Sequence, residues 1–126
     1  MIRLSFINRF ERTTRYFTKL LKMSYSDIMH KYGKIGVERL KIYTPKDTGL
    51  TANSWSYEVK KNRDVLSLSF KNSNVNNGVP IAIIIQYGHG TKNGGYVAGV
   101  DYINPALKPV FEDLKNELIA EVKRVE

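Results

Sequence analysis

Chemistry needs groups that move protons, attack an electrophile or hold a metal, and this chain has few of them. It has two histidines and no cysteine in 126 residues, so thiol nucleophiles, disulfides and cysteine zinc sites are all absent. His89 stands in the densest run of special residues, Gly88-His89-Gly90-Thr91-Lys92, followed by Asn93, Gly94, Gly95 and Tyr96. That run superficially resembles a phosphate cradle. A Walker-type loop, however, needs a hydroxyl residue after its lysine and a helix behind it, whereas Lys92 is followed by Asn93-Gly94-Gly95. His89 with Asp101 would need a third ligand to hold a metal, or an oriented hydroxyl to make a nucleophile, and the spacing supplies neither. No catalytic, cofactor-binding or metal residue is assigned, and a non-enzymatic role is expected. Asp47-Thr48-Gly49 is the triplet of aspartic proteases, which work by two carboxylates sharing one proton. A single copy behind long helical segments reads as a turn, with Asp47 accepting from the backbone and Gly49 at positive φ. His30 has no acidic or histidine partner at ligand spacing and reads as structural.

The elements that must position the glycine-rich run come next. Ile81–Tyr87 (IAIIIQY) is apolar and β-branched and reads as a buried third strand, apolar on both faces and so covered twice. Trp55–Lys60 and Val65–Lys71 alternate polar and apolar residues and form a hairpin. Tyr102-Ile103-Asn104-Pro105 opens the last helix, with Asn104 as N-cap and Pro105 at the first helical position. Leu107, Val110, Phe111, Leu114, Leu118, Val122 and Val125 make its apolar stripe. Upstream, Ser5–Met23 reads as a basic amphipathic helix with Ser5 as N-cap. Its apolar residues are Ile7, Phe10, Phe17, Leu20 and Leu21, and its basic side carries Arg9, Arg12, Arg15, Lys19 and Lys22. Tyr25-Ser26-Asp27 separates it from a second helix over Asp27–Tyr43, with Ile28, Tyr32, Ile35, Leu40 and Tyr43 inward. Gly33 and Gly36 in that helix point to close packing against another helix or the sheet, with a kink as the alternative. Thr44-Pro45 ends it, and Trp55 anchors the start of the sheet.

The expected fold is therefore α+β: a small antiparallel sheet of three to four strands packed by two N-terminal helices and one C-terminal helix. Residues 1–126 form a single domain, with the basic helix over 1–23 and a helix–sheet–helix body over 24–126. No apolar run approaches the roughly 20 residues of a membrane span, and the N-terminus lacks the pattern of a secretory signal. The net charge of +8 is uneven: residues 1–63 carry 14 Lys/Arg against 5 Asp/Glu, and residues 64–126 carry 6 against 7. Such asymmetry suits a polyanionic neighbour. A basic nucleic-acid-binding module that uses the N-terminal helix is the alternative reading of function.

The segment Thr44-Pro45-Lys46-Asp47-Thr48-Gly49-Leu50, followed by Asn53-Ser54-Trp55, resembles a signature of a tailed-bacteriophage (siphophage) family of tail-completion and head–tail joining proteins. Ile85-Gln86-Tyr87-Gly88-His89-Gly90-Thr91, Asn93-Gly94-Gly95-Tyr96-Val97 and Asp101-Tyr102-Ile103-Asn104-Pro105-Ala106-Leu107 are similar to that family's strand, Gly-Thr loop and pre-helix segment. The likeness runs from about Gly36 to Glu121. The arginine that the family carries after Asp-Thr-Gly-Leu is replaced here by Ala52 or Asn53. The resemblance implies a virion structural protein of the neck, made in the bacterial cytoplasm and assembled as a homo-oligomeric, commonly hexameric, ring. Its partners would be a head-closure connector and a tail tube or tail terminator protein. DNA would pass nearby without sequence-specific binding, and no membrane would be involved. Tyr87, Gly88, His89, Gly90, Thr91, Asn93, Gly94, Gly95, Tyr96 and Asp101 would form the partner interface, in a segment that orders on assembly. Arg9, Arg12, Arg15, Lys19 and Lys22 would face the DNA.

Overall fold

A computed structural model describes residues 2–7, 15–45, 49–63 and 65–125, with side chains described for 25–45, 49–63 and 65–124. It is an α+β structure. The chain runs β1 (Ile2–Ile7), α1 (Arg15–Tyr43), a 3-10 turn (Ala52–Ser54), β2 (Trp55–Asn62), β3 (Val65–Asn72), β4 (Val75–Asn76), β5 (Val79–Pro80), α2 (Ile81–Tyr87), β6 (Gly88–Gly90), β7 (Tyr96–Ala98) and α3 (Ile103–Val125). The main sheet is antiparallel with order β1-β3-β2, and β4–β5 and β6–β7 form two separate hairpins. In the main sheet Leu4 lies opposite Leu68, and Leu68 lies opposite Val59.

Three sequence expectations are corrected. Ile81–Tyr87 is a helix and not the third strand. A short β-branched run does not by itself distinguish the two states. Here Pro80 stands at the N-cap, and Gly88 at φ 81° closes the C-terminus by donating its N–H to the Ile84 carbonyl, so the flanking residues impose the helix. Within it Ala82 and Gln86, one turn apart, are the buried pair. Second, the third strand of the sheet comes from Ile2–Ile7, where Ile2, Leu4 and Phe6 alternate with Arg3 and Ser5 at the strand period. Ser5 is therefore a strand residue and not a helix cap. Third, Arg15–Tyr43 is one helix of 29 residues, in place of two helices parted at Tyr25-Ser26-Asp27. Two isolated serines do not break a helix that has no proline inside it. Arg9, Phe10 and Arg12 lie outside the described residues, as do Asp47 and Thr48 of the turn triplet.

Burial explains how α1 sits on the sheet. Tyr25, Ile28, Met29, Tyr32 and Leu40 are buried at helical spacing, whereas Ile35 and Tyr43, expected inside, are exposed. Gly33 and Gly36 act as expected, since they let the helix backbone approach the sheet. A Cβ on Gly33 would lie 2.3 Å from the Tyr57 ring, and one on Gly36 would lie 2.4 Å from the fully buried Phe70 ring. On the sheet, Leu66, Leu68 and Phe70 alternate inward, with Trp55 beside them. The α3 stripe completes the core: Leu107, Val110, Leu114 and Leu118 are buried, and Phe111 and Val122 pack against them. Each fully buried side chain of this kind contributes about 1.5–3 kcal/mol.

Polar contacts fix the joints between these layers. The Trp55 indole N–H donates to Thr44 Oγ1 at 2.9 Å, and the Thr44 hydroxyl donates to the Leu40 carbonyl at 2.5 Å, so the end of α1 is tied to the start of β2. Gly49 has the positive φ, 76°, that the turn reading requires. Pro109 lies inside α3 and cannot donate to the carbonyl one turn earlier, that of Pro105. Arg39 of α1 covers the gap, donating to the Pro105 carbonyl at 3.3 Å and to the Ala106 carbonyl at 2.7 Å. Tyr32 donates to Glu117 at 2.5 Å and Lys31 lies 3.1 Å from the same carboxylate. The Tyr32 bond, and then Lys31, hold the Glu117 carboxyl below its ordinary range.

Candidate interaction site

The glycine-rich segment is a formed hairpin on a rigid base. The base is Gln86, buried on α2. Its Oε1 accepts the backbone N–H groups of Tyr102 (3.0 Å) and Ile103 (2.9 Å), and its Nε2 donates to Asp101 at 2.8 Å. The first N–H groups of a helix have no partner within the helix, so a side chain from α2 caps the start of α3. Asp101 also accepts from Asn104 Nδ2 at 3.0 Å, so Asn104 supports the capping network; α3 itself begins at Ile103, one residue before the expected cap. The Tyr102 hydroxyl donates to the Ala82 carbonyl at 2.7 Å, and burial pushes its pKa up to about 12. The Val100 N–H donates to the Ile85 carbonyl at 2.9 Å. The two ends of the segment are thereby held to α2 and to α3.

Between these ties the chain turns out and back. Gly88 lies opposite Ala98, His89 opposite Val97 and Gly90 opposite Tyr96. Gly88 takes φ 81°, and a Cβ there would lie 2.4 Å from the Val97 carbonyl, so only glycine lets the chain leave α2 directly into this pairing. At the tip, Gly94 N–H donates to the Thr91 carbonyl (3.2 Å) and Thr91 N–H to the Gly95 carbonyl (2.9 Å). Gly94 at φ 78° supplies the left-handed residue of a three-residue hairpin loop. Thr91 Oγ1 accepts the Gly95 N–H at 3.0 Å, and the Tyr96 hydroxyl donates to the Tyr87 carbonyl at 2.6 Å. The segment expected to be shapeless until assembly therefore has its own ladder, loop and tyrosine brace.

This arm presents four large apolar side chains among its polar ones. Tyr87 is 68%, Tyr96 67%, Val97 48% and Val100 53% exposed. Every residue from His89 to Asp101 is exposed, which places all the expected interface residues except the half-buried Gly88 at the surface. Val97 and Val100 lie in the same segment but were not singled out in the sequence; Val97 stands opposite His89 in the hairpin, and Val100 follows β7. His89 makes no side-chain hydrogen bond among the described residues, and Asp101 is committed to Gln86 and Asn104. The arm thus brings His89 and Asp101 into one loop without pairing them. Among the described residues no three His, Cys, Asp or Glu side chains cluster as metal ligands, and no helix is long and apolar enough to cross a membrane. A cleft of 230 Å³ lies against the other end of α2, lined by Trp55, Phe70, Lys71, Asn72, Pro80, Ala82 and Ile83. Its one ionisable side chain, Lys71, is bonded to Glu58 at 2.5 Å. Of the residues expected to face DNA, Arg15, Lys19 and Lys22 fall at positions i, i+4 and i+7 of α1, and Arg9 and Arg12 lie outside the described residues.

No family model, no curated protein and no solved structure matches the chain.

Proposed function

We propose that this chain is a structural, non-enzymatic protein of a tailed-phage neck, joining head to tail or completing the tail, and that the β6–β7 arm is its partner-facing element. The carrying observation is the contrast between the arm's base and its surface. Two buried backbone N–H groups, a buried glutamine and a braced ladder fix it in place, yet it exposes two tyrosines and two valines. Tyrosine is a favoured interface residue, with an apolar body and a polar tip. An exposed apolar group on a preformed support binds with little ordering cost. The resemblance of the Gly36–Glu121 region to the tail-completion family supplies the partner class: a connector or tail protein, and further copies of the same chain in a ring around the DNA channel. Localisation to the virion belongs to the same proposal. Electron microscopy of the purified chain mixed with connector-bearing heads and with tail tubes tests it. Closed rings seated on either component are the expected result, and a chain that binds neither overturns the reading.

A further inference from the structure

The main sheet ends in a tight turn that is rich in cations. Lys60, Lys61, Asn62 and Arg63 are all exposed there. Arg63 has φ 54°, the left-handed region that is costly for any residue with a branched or long side chain and that glycine or asparagine fills more readily. A cation thus occupies a position where backbone preference favours another residue. Lys60 is shared with Glu58, 3.5 Å away, whereas Lys61 and Arg63 have no carboxylate partner among the described residues; Asp64, which follows Arg63 in the sequence, lies outside them.

We propose that this β2–β3 turn, through Lys61 and Arg63 with Lys60 behind them, is a contact for the backbone phosphates of duplex DNA. Exposed Lys and Arg side chains of this kind contact phosphate oxygens and carry no base readout. That gives loose, sequence-independent, salt-sensitive attraction. The inference rests on the neck reading for its biological setting, but its test is separate from ring assembly.

The test is fluorescence anisotropy of a mixed-sequence 30-base-pair duplex with the full chain, from 50 to 200 mM salt. The double variant Lys61→Glu, Arg63→Glu is compared with Lys41→Glu on the exposed side of α1. Loss of two phosphate contacts lowers the slope of log K against log salt by about 1.8 and weakens binding about tenfold or more, while Lys41→Glu changes either far less. Matching melting curves establish that the variants fold, and Lys61→Gln, Arg63→Gln repeats the comparison without adding negative charge. Wild-type slopes in both double variants overturn the proposal, as does wild-type protein that fails to bind duplex at 50 mM salt. Displacement by polyglutamate as readily as by unlabelled duplex also overturns it, in favour of an acidic polypeptide. Rings that form normally while the double variants lose DNA binding separate this site from the neck assignment. DNA binding that persists in a chain unable to join a connector or tail refutes that assignment alone.

Discussion

Replacing Gln86 with leucine removes the base of the arm while keeping side-chain volume close to native. Gln86 Oε1 accepts two backbone N–H groups, at 3.0 and 2.9 Å, from residues only 3% and 6% exposed. Each buried donor left without a partner costs about 1–3 kcal/mol. Water reaches neither easily, and losing a helix N-cap costs about 1 kcal/mol on the same scale of effects. The two estimates describe the same bonds and are not summed, which leaves about 2–6 kcal/mol for the two donors. That is a large share of the 5–15 kcal/mol of a typical domain and lowers Tm by roughly 10–20 °C. Urea unfolding followed by tryptophan fluorescence measures it, since Trp55 is the only tryptophan and is buried. Gln86→Glu sharpens the test. It keeps both acceptor bonds but loses the donor to Asp101 and sets a second carboxylate beside it. Its stability relative to wild type should therefore improve as pH falls and one of the two carboxylates takes a proton. A Gln86→Leu protein within about 0.5 kcal/mol of wild type, the range of an ordinary surface change, refutes the claim that α2 caps α3.

Other consequences follow from the packing. Gly36→Ala gains about 1 kcal/mol of helix propensity but drives a methyl to 2.4 Å from the buried Phe70 ring. Overpacking at the upper end of about 1–3 kcal/mol leaves it destabilised by about 2 kcal/mol in urea. Gly33→Ala meets the half-buried Tyr57 instead, which can swing outward at the expense of its bond with His30, so the same assay should show a smaller loss. The Glu117 carboxyl has a lowered folded-state pKa. Its stabilisation is therefore complete above the ordinary glutamate value and drains as pH falls through the lower folded value, and Glu117→Gln should flatten that part of the stability–pH curve. Tyr32 and Tyr102 are pushed up to about 12 from 10.0. The unfolded chain ionises them first, so stability should fall as pH rises from 10 toward 12, less steeply in Tyr32→Phe.

The α3 stripe and the β2–β3 hairpin were legible because their periods, 3.6 and 2, hold over many residues. Gly33 and Gly36 could be read as close-packing positions because glycine within a helix is costly without a reason. Ile81–Tyr87 was not legible from its apolar residues, which suit either state; Pro80 before it and Gly88 after it were the signal for a helix. The strand at Ile2–Ile7 was hidden by overlap, since Ile7 also fits the apolar spacing of the basic segment that follows. The arm residues Tyr87–Asp101 were found through their glycines. The device that holds them, Gln86, was not found, because a glutamine between an isoleucine and a tyrosine carries no local mark. Only the approach of α2 to the start of α3 gives it two N–H groups to accept.

The most direct test of the proposed neck role, with the arm as its partner-facing element, is complementation of phage particles that lack this chain with Val97→Asp protein. Val97 is half exposed in β7, so the variant should melt within about 0.5 kcal/mol of wild type. Wild-type protein should restore joined, infectious particles, and Val97→Asp should leave heads and tails separate. Infectious particles at wild-type yield from the aspartate variant would contradict the account.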